Sequence, residues 1–275
     1  MIGNDELAEI LKAAARAEIL PRFRRLDADA IATKSRPDDL VTEADTAAEA
    51  RITEALRARL PEALILGEEA VAGNPALLDG LGEAEVAAII DPVDGTWNFA
   101  RGLALFGTIL ALGARGRVTH GILYDPLLDD RVEAHEDGPC EMVTADGARR
   151  RLTTSSETDL SLMTAYLPLS LLPGEKQAAM AATFPSFGRA MGLRCACHEY
   201  RLIAQGHAEI ALAAVLNPWD HAAGALAVTR AGGVARMLDG RDYHLGLAPD
   251  AGYLLTAANE AAWDAAAKRI GPALL

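Results

Sequence analysis

Val86-Ala-Ala-Ile-Ile90-Asp91-Pro92-Val93-Asp94-Gly95-Thr96-Trp97-Asn98-Phe99 is the stretch on which the reading of this chain turns. Val86 to Ile90 reads as a short buried strand that stops at Asp91-Pro92, and carboxylates follow at once. A carboxylate directly after an apolar strand is poorly explained as a solvated face, because the strand holds it at the sheet edge. Three more acidic segments stand out in the same way: Asp38-Asp39-Leu-Val-Thr-Glu-Ala-Asp45, Gly67-Glu68-Glu69 behind the short strand Ala63 to Leu66, and Pro218-Trp219-Asp220. If the strands are neighbours, these carboxylates converge. Carboxylates that close repel strongly and tolerate one another only around cations. Oxygen ligands without His or Cys select Mg²⁺ or Mn²⁺ over zinc. Taken one at a time, the same residues also read as ordinary caps and turns.

Asp94-Gly95-Thr96 adds a second element. Gly95 permits a tight turn, and the Gly95 and Thr96 amides can then point at an anion. Metals on one side and amide donors on the other describe a phosphate site. In it the Thr96 hydroxyl would hold a water in line with phosphorus, with Asp45 accepting from Thr96.

Outward from this centre, residues 4–25 carry apolar positions at helical spacing, with a kink expected at Pro21. A second helix should begin near Thr42, where Thr42 and Asp45 stand in a capping-box relation, and run to about Leu60. Phe106 to Ala114, Val118 to Tyr124 and Arg131 to Ala134 form an antiparallel meander, and the polar, Gly-rich stretch from Asp137 to Ser156 reads as the crossing between two halves. Beyond it strands (160–167, 210–215, 252–256) alternate with helices (174–182, 198–205, 220–231, 260–270). The expected division is residues 1–146, an α+β half carrying most acidic positions, and 147–275, an α/β half carrying Asp220.

Composition bounds the partners. The 275 residues are 51% hydrophobic and carry a formal net charge of −13, which is globular and argues against a general nucleic-acid or anionic-membrane binder. Cys140, Cys195 and Cys197 supply neither a disulfide framework nor a metal set, and read as small buried residues. No apolar run is long enough to span a bilayer and the first residues are acidic, so a cytoplasmic protein is expected.

Asp91-Pro-Val-Asp-Gly-Thr-Trp-Asn-Phe99 resembles the metal-binding signature of the inositol monophosphatase family. Gly67-Glu68-Glu69, Leu40-Val-Thr-Glu-Ala-Asp45 and Trp219-Asp-His-Ala-Ala-Gly224 match its other motifs, in order, from Lys34 to Gly224. The resemblance implies a mixed α/β, layered αβαβα fold with an antiparallel N-terminal sheet and a smaller mixed C-terminal sheet. It also implies Mg²⁺-dependent, Li⁺-sensitive hydrolysis of a phosphate monoester by a homodimer. It assigns Glu68, Asp91 and the Val93 carbonyl to a first metal, and Asp91, Asp94 and Asp220 to a second, with a looser third ion near Glu68. Thr96 and Asp45 match the pair that orients the attacking water, the Gly95 and Thr96 amides match the phosphate cradle, and Lys34 matches a basic residue near the metals.

The alcohol side departs from that pattern. After Arg194 the inositol-hydrolysing members carry small residues, where this chain has Cys197, His198 and Glu199. The Glu expected seven positions before Asp220 is Ala213. A missing buried partner for a hydroxyl weighs against inositol as the alcohol. His198 and Glu199 either contact substrate or brace the helix that starts there. The expected substrate is a small phosphorylated metabolite such as an inositol phosphate, histidinol phosphate or sugar phosphate. A non-catalytic, regulatory member of the same fold is the alternative, against which the full set of acidic positions speaks.

Overall fold

The computed structural model describes residues 2–27, 30–34 and 40–275. Asp38 and Asp39, part of the first acidic segment, lie outside the described residues. The chain runs α1 (Asn4–Ala14), continued by a π-helical turn over Ala15–Ile19, then β1 (Ile31–Thr33), β2 (Leu40–Thr42), α2 (Glu43–Arg59), β3 (Leu64–Gly67), α3 (Glu68–Gly73), β4 (Ala87–Asp94) and α4 (Thr96–Ala100). The meander follows as β5 (Gly107–Ala114), β6 (Arg117–Asp125), β7 (Asp130–His135), β8 (Cys140–Val143) and β9 (Arg149–Arg151). The remainder is β10 (Thr164–Tyr166), α5 (Gly174–Ala181), β11 (Arg189–Met191), α6 (Ala196–Ala204), β12 (Ile210–Ala213), α7 (Pro218–Arg230), β13 (Val234–Met237), β14 (Leu254–Ala257) and α8 (Glu260–Leu274).

A seven-stranded sheet in the order β3 to β9 is antiparallel except for the parallel β3–β4 pair, and the five-stranded sheet β11-β10-β12-β14-β13 is mixed. Strand alternation sends Ala88, Ile90, Leu110 and Ile122 to one face, where they bury Leu7, Leu11, Ile52 and Leu56 of α1 and α2. Ile89, Ile109, Ala111 and Leu123 face the other way, onto Tyr200, Ile203, Ala223 and Ala227 of α6 and α7. A third core joins the small sheet to α8 through Leu212, Leu255, Trp263 and Ile270. The layers are therefore α1/α2, seven strands, α6/α7, five strands, α5/α8, the expected αβαβα order. Among the described residues no helix is long and apolar enough to cross a membrane.

Three local expectations are corrected. β4 does not stop at Asp91-Pro92 but runs to Asp94, with its register against β5 shifting between Asp91 and Asp94. Pro92, which has no N–H to give a ladder, sits in that irregularity, and its carbonyl accepts from Thr108 Oγ1 at 2.9 Å. The stretch 137–156 is not an irregular crossing throughout: it contains the paired strands β8 and β9. Leu160 to Leu167 begins as a single 3₁₀ turn and becomes strand only at Thr164.

Arg201 ties α6 to the large sheet. Its buried guanidinium donates to Leu123 O at 2.8 Å and pairs with Asp130. Arg201→Ala should destabilise the fold by about 2–4 kcal/mol, because it strands the Leu123 carbonyl and leaves the half-buried Asp130 carboxylate without its partner. Urea denaturation followed by circular dichroism measures this.

Candidate functional site

The capping box of α2 builds the first part of the site. Thr42 Oγ1 accepts from Ala44 N at 3.1 Å, and Asp45 Oδ2 accepts from Thr42 N at 2.9 Å. That holds the buried Asp45 carboxylate in one orientation, with Oδ1 left to accept from Thr96 Oγ1 at 3.0 Å. The same hydroxyl lies 2.9 Å from Val93 O, so its single proton serves one acceptor at a time. Burial pushes Asp45 up to about 6, against the pull of its Thr42 hydrogen bonds.

Behind β3, the buried Glu49 carboxylate accepts from Glu69 N and Ala70 N, each at 2.8 Å, and so satisfies the first amides of α3. A Cβ on Gly67 would stand 2.3 Å from that carboxylate, which is why the turn into α3 takes glycine. Glu68 and Glu69 therefore leave a fixed helix start and meet Lys34 Nζ at 2.7 and 2.6 Å. Burial disfavours the ammonium, but the two glutamates outweigh it and hold Lys34 above the usual lysine range. Glu69 is itself pushed up to about 7, by burial first and by Glu68 second.

The centre is a cluster of Asp91, Asp94 and Asp220, which each offer one oxygen within 4.8 Å of the others. Asp91 and Asp94 come from the irregular end of β4, while Asp220 comes from the first turn of α7, where Asn217 Nδ2 donates to its Oδ2 at 3.1 Å. Asp91 Oδ1 is buried without a hydrogen-bond partner. A buried carboxylate oxygen left so is costly. Burial, and then Glu68, Asp94 and Asp220, raise Asp91 well above the carboxylate range. Asp94 is pushed up to about 7 by burial and Asp220, although Cys195, Cys197 and Ala196 all donate to it. All-oxygen donors, an orphaned acceptor and mutual repulsion fit a hard divalent cation.

Gly95 (φ 88°) turns the chain in the left-handed region and caps α4, whose first-turn amides have no acceptor within the helix. The expected pair Asp45 and Thr96, the turn at Gly95 and the cluster of Asp91, Asp94 and Asp220 thus belong to one site, flanked by Glu68 and Lys34. His198 and Glu199 are both engaged from behind: His198 Nε2 lies 3.0 Å from Phe106 O, and Glu199 Oε1 accepts from Leu193 N at 2.7 Å. Burial lowers the His198 pKa, which favours the neutral ring. His221 points away from the cluster, to Val215 O at 2.9 Å and Tyr200 OH at 3.1 Å. Ala213 is a buried residue of β12.

Sequence reasoning missed Glu49 and the donors that Cys195 to Cys197 present to Asp94. The first leaves a trace in the sequence, since Asp45 and Glu49 are four apart and share a helix face. The second is a contact across more than 100 residues and leaves none.

A model of the inositol monophosphatase family matches residues 4–272. The Nus factor SuhB of Pseudomonas aeruginosa is 31% identical over 221 residues, covering 78% of each chain. A histidinol-phosphatase of Streptomyces coelicolor is 32% identical over 245 residues, covering 86% of each. Among solved structures, an inositol monophosphatase from Zymomonas mobilis superposes with a TM-score of 0.77 at 24% identity, over 97% of this chain and 95% of that one. The extragenic suppressor protein suhB from Bartonella henselae gives 0.78 at 22% identity, over 97% of each.

The raised carboxyls have a consequence for stability. The folded chain keeps protons on Asp45, Asp91 and Asp94 that the unfolded chain, with ordinary carboxyls near pH ~4, has already released. For Asp45 and Asp94 that contribution is therefore complete below that pH and is lost as pH rises through about 6 to 7. In chelator, the thermal midpoint should fall as pH rises through about 6 to 7, and fall less in Asp94→Asn. Scanning fluorimetry across that range checks the sign.

Proposed function

The chain belongs to the inositol monophosphatase family, a family of phosphatases, and from that premise we propose that it hydrolyses the phosphate monoester of a small metabolite with the help of Mg²⁺. The observation that carries the reading is the orphaned Asp91 oxygen inside a three-carboxylate cluster that adjoins the Asp45–Thr96 pair. In this proposal Glu68, Asp91 and the Val93 carbonyl hold one ion, and Asp91, Asp94 and Asp220 hold a second. A third ion lies more loosely near Glu68, and Mn²⁺ can replace Mg²⁺. Such ions, when bound, acidify water and neutralise charge on the leaving oxygen.

The chain's own groups supply the rest. Thr96 donates its hydroxyl proton to Asp45 Oδ1, which turns the hydroxyl lone pairs toward a water and orients that water for attack on phosphorus. Asp45, near 6, is matched to accept a proton close to neutrality. Glu68 assists from α3. The amides of Gly95 and Thr96 cradle the phosphate oxygens where the left-handed turn opens α4. Water adds to phosphorus, the ester P–O bond breaks, and the alcohol leaves with a proton.

The alcohol pocket is the divergent part. His198 and Glu199 enter the proposal as braces of its wall, since their polar atoms already hold the backbone at Phe106 and Leu193. Ala213 supplies no carboxylate for the hydroxyls of a polyol, which favours histidinol phosphate over an inositol phosphate. The likeness to a histidinol-phosphatase supports including that substrate first. We also propose a cytoplasmic homodimer that Li⁺ inhibits.

The decisive experiment is phosphate release from a panel containing inositol 1-phosphate, histidinol phosphate and several sugar phosphates. Release should require Mg²⁺ and stop with chelator, and Asp94→Asn should lower kcat/KM at least about 100-fold by removing a ligand carboxylate. No release from any monoester would favour the regulatory reading that the Nus-factor relatives suggest. Inositol 1-phosphate as best substrate would overturn the argument from Ala213.

A further inference from the structure

The segment Leu193–Arg194 is held by two side chains on four sides. Glu199 accepts from Leu193 N at 2.7 Å and also from Arg194 N. Asn98 Nδ2 donates to Leu193 O at 2.9 Å and reaches Arg194 O at 3.4 Å, as well as Leu105 O at 2.9 Å. Arg194 has φ 56°, a left-handed conformation that a residue with a Cβ keeps only when its surroundings over-determine it. The turn delivers the chain into α6 with an unusual cap. Cys195 at the N-cap makes no side-chain bond to its own helix. Its thiol instead donates to Asp94 Oδ2 at 3.0 Å, and the first helix amides follow, Ala196 N to Oδ1 at 3.1 Å and Cys197 N to Oδ2 at 2.6 Å. The α6 amides that a helix leaves unsatisfied thus take Asp94 as their acceptor. The same turn roofs Gly95: Cys195 Cβ and Arg194 O would lie 3.2 and 3.3 Å from a Cβ placed there.

We infer that Glu199 is a positioning residue: by locking the Leu193–Arg194 turn from behind, it aims the Cys195 thiol and the first amides of α6 at Asp94, and so fixes the direction in which that carboxylate offers its remaining lone pairs. Glu199 acts through Asp94 and touches neither substrate nor cation. A bracing glutamate with only a structural role would lower stability and leave the affinity of the acidic cluster alone. The inference rests on the reading of Asp94 as a cation ligand, and the test separates the two.

The probe is Mn²⁺, titrated into the chelator-treated full-length protein without substrate, with free Mn²⁺ read by electron paramagnetic resonance. Asp94→Asn defines the site by the binding it weakens. Glu199→Ala should weaken that same binding about tenfold or more, and Glu199→Gln, which keeps one acceptor oxygen and replaces the other by a donor, by several-fold. In the Asp94→Asn background both Glu199 changes should have no further effect, since coupled residues are non-additive. Wild-type Mn²⁺ affinity in Glu199→Gln and Glu199→Ala, or an undiminished effect in the Asp94→Asn background, overturns the inference. If Glu199→Ala does not fold, Glu199→Gln and its cycle with Asp94→Asn decide alone. If Asp94→Asn itself binds Mn²⁺ as the wild type does, the cation-ligand reading fails and the inference falls with it.

Discussion

Negative charge in a confined, dry space governs this molecule. Asp45, Asp91 and Asp94 are buried, Asp220 joins them, and Glu68 adds its field to Asp45 and Asp91. In a medium of low dielectric such a group cannot stay fully ionised by itself. The fold answers in three ways: protons held on raised carboxyls, the Lys34 ammonium beside Glu68 and Glu69, and aimed backbone amides. Each is partial, and the unpartnered Asp91 oxygen marks what is still owed.

The supporting structure is organised around that need. Three of the helix starts that bear on the site meet a carboxylate: Asp45 closes the capping box of α2, Glu49 caps α3, and Asp94 caps α6. Helix N-termini carry partial positive charge and open amides, so they soften the repulsion that the cluster creates. Sheet edges provide the placement. The irregular end of β4 lets Asp91 and Asp94 leave the ladder without a regular alternation of faces.

Most of this was legible where it was local. The capping box at Thr42 and Asp45, the apolar strand before Asp91, the meander and the acidic segments all announce themselves within a few residues. Resemblance to a family then ordered the segments into one site. The hairpin β8–β9 escaped because Arg149–Arg151 is an exposed edge strand, whose charges hide any alternation. β1, β11 and β13 are three or four residues long and take their strand character from partners rather than from their own pattern. His198 and Glu199 were ambiguous because bracing and binding ask for the same polar residue. Their partners, Phe106 O and Leu193 N, are brought to them by the fold and leave no local pattern in the sequence.

The grip of Cys195, Ala196 and Cys197 on Asp94 also has a meaning in time. The partners are 101 to 103 residues apart in the chain, whereas β5, β6 and β7 pair with immediate neighbours. Contacts of long sequence separation form late, after the entropy of closing the loop has been met. During synthesis Asp91 and Asp94 leave the ribosome long before Asp220 or the α6 amides exist. The nascent N-terminal half therefore carries Asp94 without its α6 donors, and that part of the site is completed only when α6 docks.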